Sequence, residues 1–157
     1  MSFLEKICTT LSAARLPYAL VGGHAVALHG AVRGTVDVDF VVEWKLETLI
    51  HIEELFKQHS LVSRLPITAE DVFNFREEYI KNRNLIAWNF YNPSDVTEQV
   101  DIIINYDLNI KDVIEFETPR TLIMVLNVPR LLDMKRASGR PQDLEDVAAL
   151  EKVLAQK

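Results

Sequence analysis

Residues 36–42 read Val-Asp-Val-Asp-Phe-Val-Val, and this segment constrains the chain more than any other. Val36, Val38 and Phe40 alternate with Asp37 and Asp39, the period of two that a β-strand imposes because successive side chains leave it on opposite faces. A strand over 35–43 with its apolar face in the core carries both carboxylates on its other face, about 7 Å apart. Taken alone, such a pair also suits a solvated outer face.

The surrounding pattern gives the strand its neighbours. Upstream, Tyr18-Ala-Leu-Val is a short buried strand running into Gly22 and Gly23, and His24–Gly30 suits a helix that begins at the glycines and stops at Gly30. Leu4, Ile7, Cys8 and Leu11 recur at helical intervals, which predicts an amphipathic helix over 2–14 that Pro17 follows. Leu46, Leu49, Ile50 and Leu55 predict another over 46–59. Residues 61–67 and 70–78 read as a strand or turn and a variable excursion. Residues 84–92 and 98–105 read as neighbouring strands joined by a turn around Asn92-Pro93-Ser94. In the second of these, Asp101 interrupts Val100, Ile102, Ile103 and Ile104. A carboxylate there is costly unless paired, hydrogen-bonded or bound to a metal, although it would also serve as an edge-strand gatekeeper. Residues 121–128 give a last apolar segment. Pro129 then opens a helix to Gly139, and Pro141 opens the closing helix. This order implies an α/β fold, a mixed central sheet flanked by helices with two helices at the C-terminus.

Composition bounds the function. With 157 residues, 48% apolar and 25% charged, the chain reads as one globular domain over 1–157. A net charge of −6 excludes a long nucleic-acid footprint, which needs clustered Lys and Arg, though not a local basic strip. The N-terminus lacks the pattern of a secretory signal, and no apolar run reaches the roughly 18 residues of a membrane helix. The lone cysteine, Cys8, reads as a core filler. A reducing, cytoplasmic location is expected, with no membrane partner.

Three aspartates on adjacent strands beside a glycine turn suit a defined chemistry. Mg²⁺ takes oxygen ligands, commonly one or two carboxylates plus substrate phosphates. Two such ions serve in-line displacement at phosphorus. Gly22 and Gly23 would let the backbone approach a triphosphate.

These residues resemble the signature of the nucleotidyltransferase (polymerase-β-like) superfamily, an apolar strand ending in Gly-Gly or Gly-Ser, a spacer, then Asp-x-Asp between apolar residues. Here thirteen residues separate Gly23 from Asp37. The C-terminal segment, with Lys135, Arg140, Asp143 and Asp146, is similar to that of the branch containing AbiEii-type toxins and related small bacterial nucleotidyltransferases. The resemblance implies that Gly22 and Gly23 hold nucleotide phosphates, and that Asp37, Asp39 and Asp101 ligate Mg²⁺, one or two ions, with Mn²⁺ as a substitute. Asp101 would assist deprotonation of the acceptor hydroxyl. Lys135 would neutralise triphosphate charge, Arg33 would contact phosphate, and His24 would border the nucleotide. Arg140, Asp143 and Asp146 would either support the site or form caps and ion pairs between the last two helices. The implied reaction moves a nucleoside monophosphate from an NTP to a tRNA end, a protein or a small molecule. The alternative is an inactive module acting by contact with a partner protein encoded nearby, as in toxin–antitoxin pairs, a role in which AbiEii-type chains usually carry further helices.

His24 and His29 lie five apart, about 140° around a helix, and so do not form an i, i+4 zinc pair. Trp88, Phe90 and Tyr91 read as core and edge aromatics in preference to a base-stacking platform.

Overall fold

The computed structural model describes residues 1–31 and 37–156. Arg33 and Val36 lie outside the described residues. The first helix, α1 (Phe3–Ala13), begins at a capping box in which the Ser2 hydroxyl accepts from the Glu5 amide and the Glu5 carboxylate accepts from the Ser2 amide. Its buried stripe is Ile7, Cys8 and Leu11. Then come β1 (Tyr18–Val21), α2 (Gly22–Leu28), β2 (Val38–Val42) and α3 (Leu46–Gln58). The segment that periodicity left irregular contains β3 (Val62–Ser63), α4 (Ala69–Asn74) and α5 (Arg76–Arg83). A long hairpin follows, β4 (Ala87–Asn92) and β5 (Asp95–Ile103), then β6 (Val113–Glu117), β7 (Leu122–Leu126), α6 (Val128–Ser138) and α7 (Pro141–Ala155).

The strands form one mixed sheet in the order β3-β4-β5-β2-β1-β7-β6. Central β2 runs antiparallel to β1 and parallel to β5, and β1 runs parallel to β7. Every residue of β1 is buried, as a strand covered on both faces requires. In β4 and β5 the burial alternates instead: Trp88, Phe90, Val100 and Ile102 are inaccessible, whereas Asn89, Asp101 and Ile103 on the other face are half-buried. Phe56 of α3 meets Phe90 edge to face with ring centroids 4.9 Å apart, so Trp88 and Phe90 belong to the core. No described helix is long and apolar enough to cross a membrane.

Two sequence expectations shift. The acidic strand begins at Val38, so Asp37 stands just ahead of it. The β6 strand, from Val113, is an addition that the sequence reading lacked.

The connection between α6 and α7 turns on Gly139, which caps α6 at φ +63°. A Cβ there would come no closer than 3.7 Å to another atom, the Arg136 carbonyl, so only backbone strain opposes a side chain. Gly139→Ala is expected to cost about 1–2 kcal/mol in urea denaturation. An unchanged midpoint would show that the turn relaxes into another conformation.

Candidate active site

The register of β2 against β5 places the central carboxylates. Val38, Asp39 and Phe40 pair with Val100, Asp101 and Ile102, so Asp39 and Asp101 occupy the same level and the same face of neighbouring parallel strands. On the other side β1 pairs Val21 with Asp39, which sets Gly22 directly beside the Asp39 side chain. Gly22 has φ +71°, and a Cβ there would overlap Asp39 Oδ2 and lie 3.0 Å from Asp39 Cγ. The glycine is required twice, by backbone conformation and by proximity.

Burial raises the pKa of Asp39 to about 7, helped by the charge and hydrogen bond of Asp101 and by the charge of Asp37, while Lys135 opposes the shift. Asp37 is exposed at the entrance to β2. Asp101 Oδ1 accepts a hydrogen bond of 2.7 Å from the Asn89 side-chain amide.

Beside this pair is a cavity of about 470 Å³. Its lining includes Gly22, Asp39, Lys135, Arg140 and Asp143 together with Ile103, Tyr106, Leu131 and Met134. Lys135 is buried, its ammonium 3.3 Å from Asp143 and 3.0 Å from Asp146, and these carboxylates are 1% and 2% exposed. Arg140 precedes the first residue of α7 and donates to Asp143 through its backbone amide (3.2 Å) and its Nε (2.7 Å). Burial alone would raise the Asp143 pKa, but the Arg140 hydrogen bond and the Lys135 charge hold it below the usual carboxylate range. Arg140, Asp143 and Asp146 thus form the cap and interhelical ion pairs that the sequence left as one of two roles, Lys135 joins them, and Lys135 and Arg140 line the cavity while doing so.

Gly23 is buried in the first turn of α2, where no described side chain caps the helix. His24 is half-buried, and its Nε2 has no hydrogen-bond partner among the described residues. His29 is directed elsewhere: its Nε2 lies 2.9 Å from the Leu126 carbonyl and its ring meets Phe116 edge to face. Arg33 lies outside the described residues. Asn89, Tyr106 and Met134 went unnoticed in the sequence because their relevance depends on strand register and on how α6 leans over the sheet.

Among the described residues no group of three or more His, Cys, Asp or Glu closes around a metal position. The donor set nonetheless fits a hard divalent cation. Asp39 and Asp101 stand level on neighbouring strands, and Mg²⁺ commonly completes so partial a shell with water and substrate phosphates.

By sequence the chain matches no family model and no curated protein. Solved structures do resemble it. The lincosamide antibiotic adenylyltransferase LnuA, bound to lincomycin, superimposes with a TM-score of 0.66 at 10% identity over 96% of each chain. A nucleotidyltransferase-like protein from Paracoccidioides brasiliensis gives 0.60 at 16% identity, covering 94% of this chain and 72% of that one. ANT(2″)-Ia in complex with adenylyl-2″-tobramycin gives 0.58 at 14% identity, covering 96% and 90%.

Two outcomes test the electrostatics. The raised pKa of Asp39 means that, between about pH 4 and 7, the folded protein retains a proton that the unfolded chain has lost. Stability therefore falls as pH rises through that window. Asn at position 39 has no such cost, so the Tm gain of metal-free Asp39→Asn is expected to grow from pH 4 and level off above pH 7; a pH-independent gain would place its origin elsewhere. Lys135→Met leaves Asp146 buried without its cation and is expected to cost about 3–5 kcal/mol in urea denaturation. A loss below about 1 kcal/mol would mean that the two carboxylates do not depend on Lys135. On sheet order, site placement and these superpositions, the chain has the nucleotidyltransferase fold.

Proposed function

We propose that the protein is a Mg²⁺-dependent nucleotidyltransferase of the polymerase-β-like superfamily that moves a nucleoside monophosphate from an NTP to a hydroxyl of a small molecule. The observation that carries the reading is the in-register pair Asp39 and Asp101 beside Gly22, with Gly22 and Asp39 lining a cavity that Lys135 and Arg140 also line.

Each residue has a task under this reading. Asp39 and Asp101, with Asp37 at the entrance, hold one or two Mg²⁺ ions; when bound, the metal polarises the reacting phosphate and offsets developing charge. Gly22 and Gly23 present backbone without side chains to the triphosphate, with the uncapped start of α2 behind them. His24 borders that position. Lys135 and Arg140 add positive field from the opposite wall, as would Arg33. Asp101 accepts the proton of the attacking hydroxyl. The hydroxyl oxygen forms a bond to the α-phosphorus as the bond to pyrophosphate breaks.

A small acceptor is favoured on two grounds. The cavity volume falls within the usual range for small-molecule sites, and the net charge of −6 disfavours an extended RNA contact. LnuA bound to lincomycin and ANT(2″)-Ia with an adenylylated tobramycin show the same fold engaging such molecules. The narrower AbiEii-type assignment rests on Lys135, Arg140, Asp143 and Asp146 alone.

The test incubates the protein with each of four α-labelled NTPs, Mg²⁺ and a panel of hydroxyl-bearing small molecules, tRNA and cell protein, and follows label transfer and pyrophosphate. Acceptor-dependent transfer is expected, reduced about 10²–10⁴-fold in Asp101→Asn. Label in tRNA or protein would reassign the acceptor. Nucleotide binding without transfer to any acceptor would favour a module acting through a partner protein.

A further inference from the structure

We propose that Asn89 and Arg64 are positioning residues that fix the rotamer of the Asp101 carboxylate; this rests on the proposed role of Asp101 as a metal ligand and proton acceptor. Asn89 lies directly across the hairpin from Asp101 in the β4–β5 register, and its Nδ2 donates to Asp101 Oδ1 at 2.7 Å. Its Oδ1 in turn accepts from Arg64 Nε at 2.7 Å. A guanidinium can only donate, so Arg64 decides which way the amide faces: oxygen toward itself, nitrogen toward Asp101. The carboxylate thereby receives a hydrogen bond on Oδ1.

Arg64 is exposed but held on three sides. Its backbone amide donates to the Asn89 carbonyl at 2.9 Å. Its guanidinium lies 4.3 Å from the centre of the Tyr91 ring. The preceding residue, Ser63, pairs with Phe90 and accepts from the Trp88 indole at 3.0 Å. The two-residue strand β3 thus places one cation where it orients one amide. Hydrogen-bonded partners of ligating carboxylates typically contribute about 10–100-fold in metal affinity or activity.

The test measures Mn²⁺ binding without nucleotide, by loss of the free-ion EPR signal, alongside kcat, the KM for NTP and the Tm of each variant. Asn89→Ala is expected to weaken Mn²⁺ binding about 10–100-fold and to lower kcat comparably, with KM for NTP within about twofold. Arg64→Glu can only accept, which turns the Asn89 amide over and sets its oxygen against Asp101; it is expected to match Asn89→Ala. Its added negative charge would by itself strengthen cation binding, so a loss reports geometry. Arg64→Gln, still a donor, is expected to retain at least tenfold more Mn²⁺ affinity than Arg64→Glu. The double variant Arg64→Glu/Asn89→Ala is expected to be no worse than either single one. A merely structural role would lower Tm without separating Gln from Glu at position 64. Wild-type binding of Mn²⁺ matched by Asn89→Ala would overturn the proposal alone. A wild type that neither binds Mn²⁺ nor transfers label would overturn the proposed function and this inference with it.

Discussion

The parallel pairing of β2 with β5 is the constraint on which the candidate site depends. It brings Asp39 level with Asp101, near the middle of a seven-stranded sheet where both strands are fixed by core residues on their other face. Hydrophobic burial of Phe40 and Ile102 therefore sets the distance between two carboxylates that would otherwise separate. Without a cation the arrangement works against stability, as the raised pKa of Asp39 records. Such local conflict inside a well-packed frame is characteristic of functional positions.

The last two helices deal with charge in the opposite way. Lys135 is buried between Asp143 and Asp146, and Asp143 also receives Arg140. Two carboxylates and two cations there balance, and removing one partner would leave a desolvated charge. The network makes the α6–α7 pair a firm wall for the cavity. It also limits what Lys135 offers a triphosphate, because its positive charge is already shared; Arg140, with its side chain 70% exposed, is the freer cation of the pair.

Much of this was legible in the sequence, for identifiable reasons. Alternation in 36–42, the Gly22-Gly23 step and the proline and glycine boundaries at Pro129, Gly139 and Pro141 are local signals, and local signals survive without an alignment. The two roles left open for Arg140, Asp143 and Asp146 could be separated only by three-dimensional contacts. Asn89 was hidden for a sharper reason. The hairpin pairs Asn92 with Asp95 but Tyr91 with Gln99, a shift at a bulge, so counting outward from the turn does not place residue 89 opposite residue 101. Arg64 was hidden further still, since it follows a strand of two residues, Val62–Ser63, too short to leave a periodic trace. The β6 strand is a half-exposed edge strand of five residues, and the brief alternation of Ile114 and Phe116 with Glu115 and Glu117 was too short to mark it.

The surroundings of the carboxylate pair are polarised, and the polarity bears on direction. Lys135 of α6 and Arg140, which precedes α7, share the cavity with Gly22 and Asp39, as do Asp133 and Asp143. On the other side, toward β4 and β3, Asp101 meets an amide donor whose own orientation is set by Arg64. Under the proposed reading, a triphosphate is drawn to the cationic wall and to the side-chain-free backbone of Gly22, while a hydroxyl approaching over the half-buried face of β4 and β5 meets Asp101 first. In-line displacement needs the nucleophile and the leaving group on opposite sides of phosphorus. Under the same reading the sheet order puts the two on different flanks of β2: β1 with its glycine turn lies on one side, and β5 with Asp101, backed by Asn89 of β4, lies on the other.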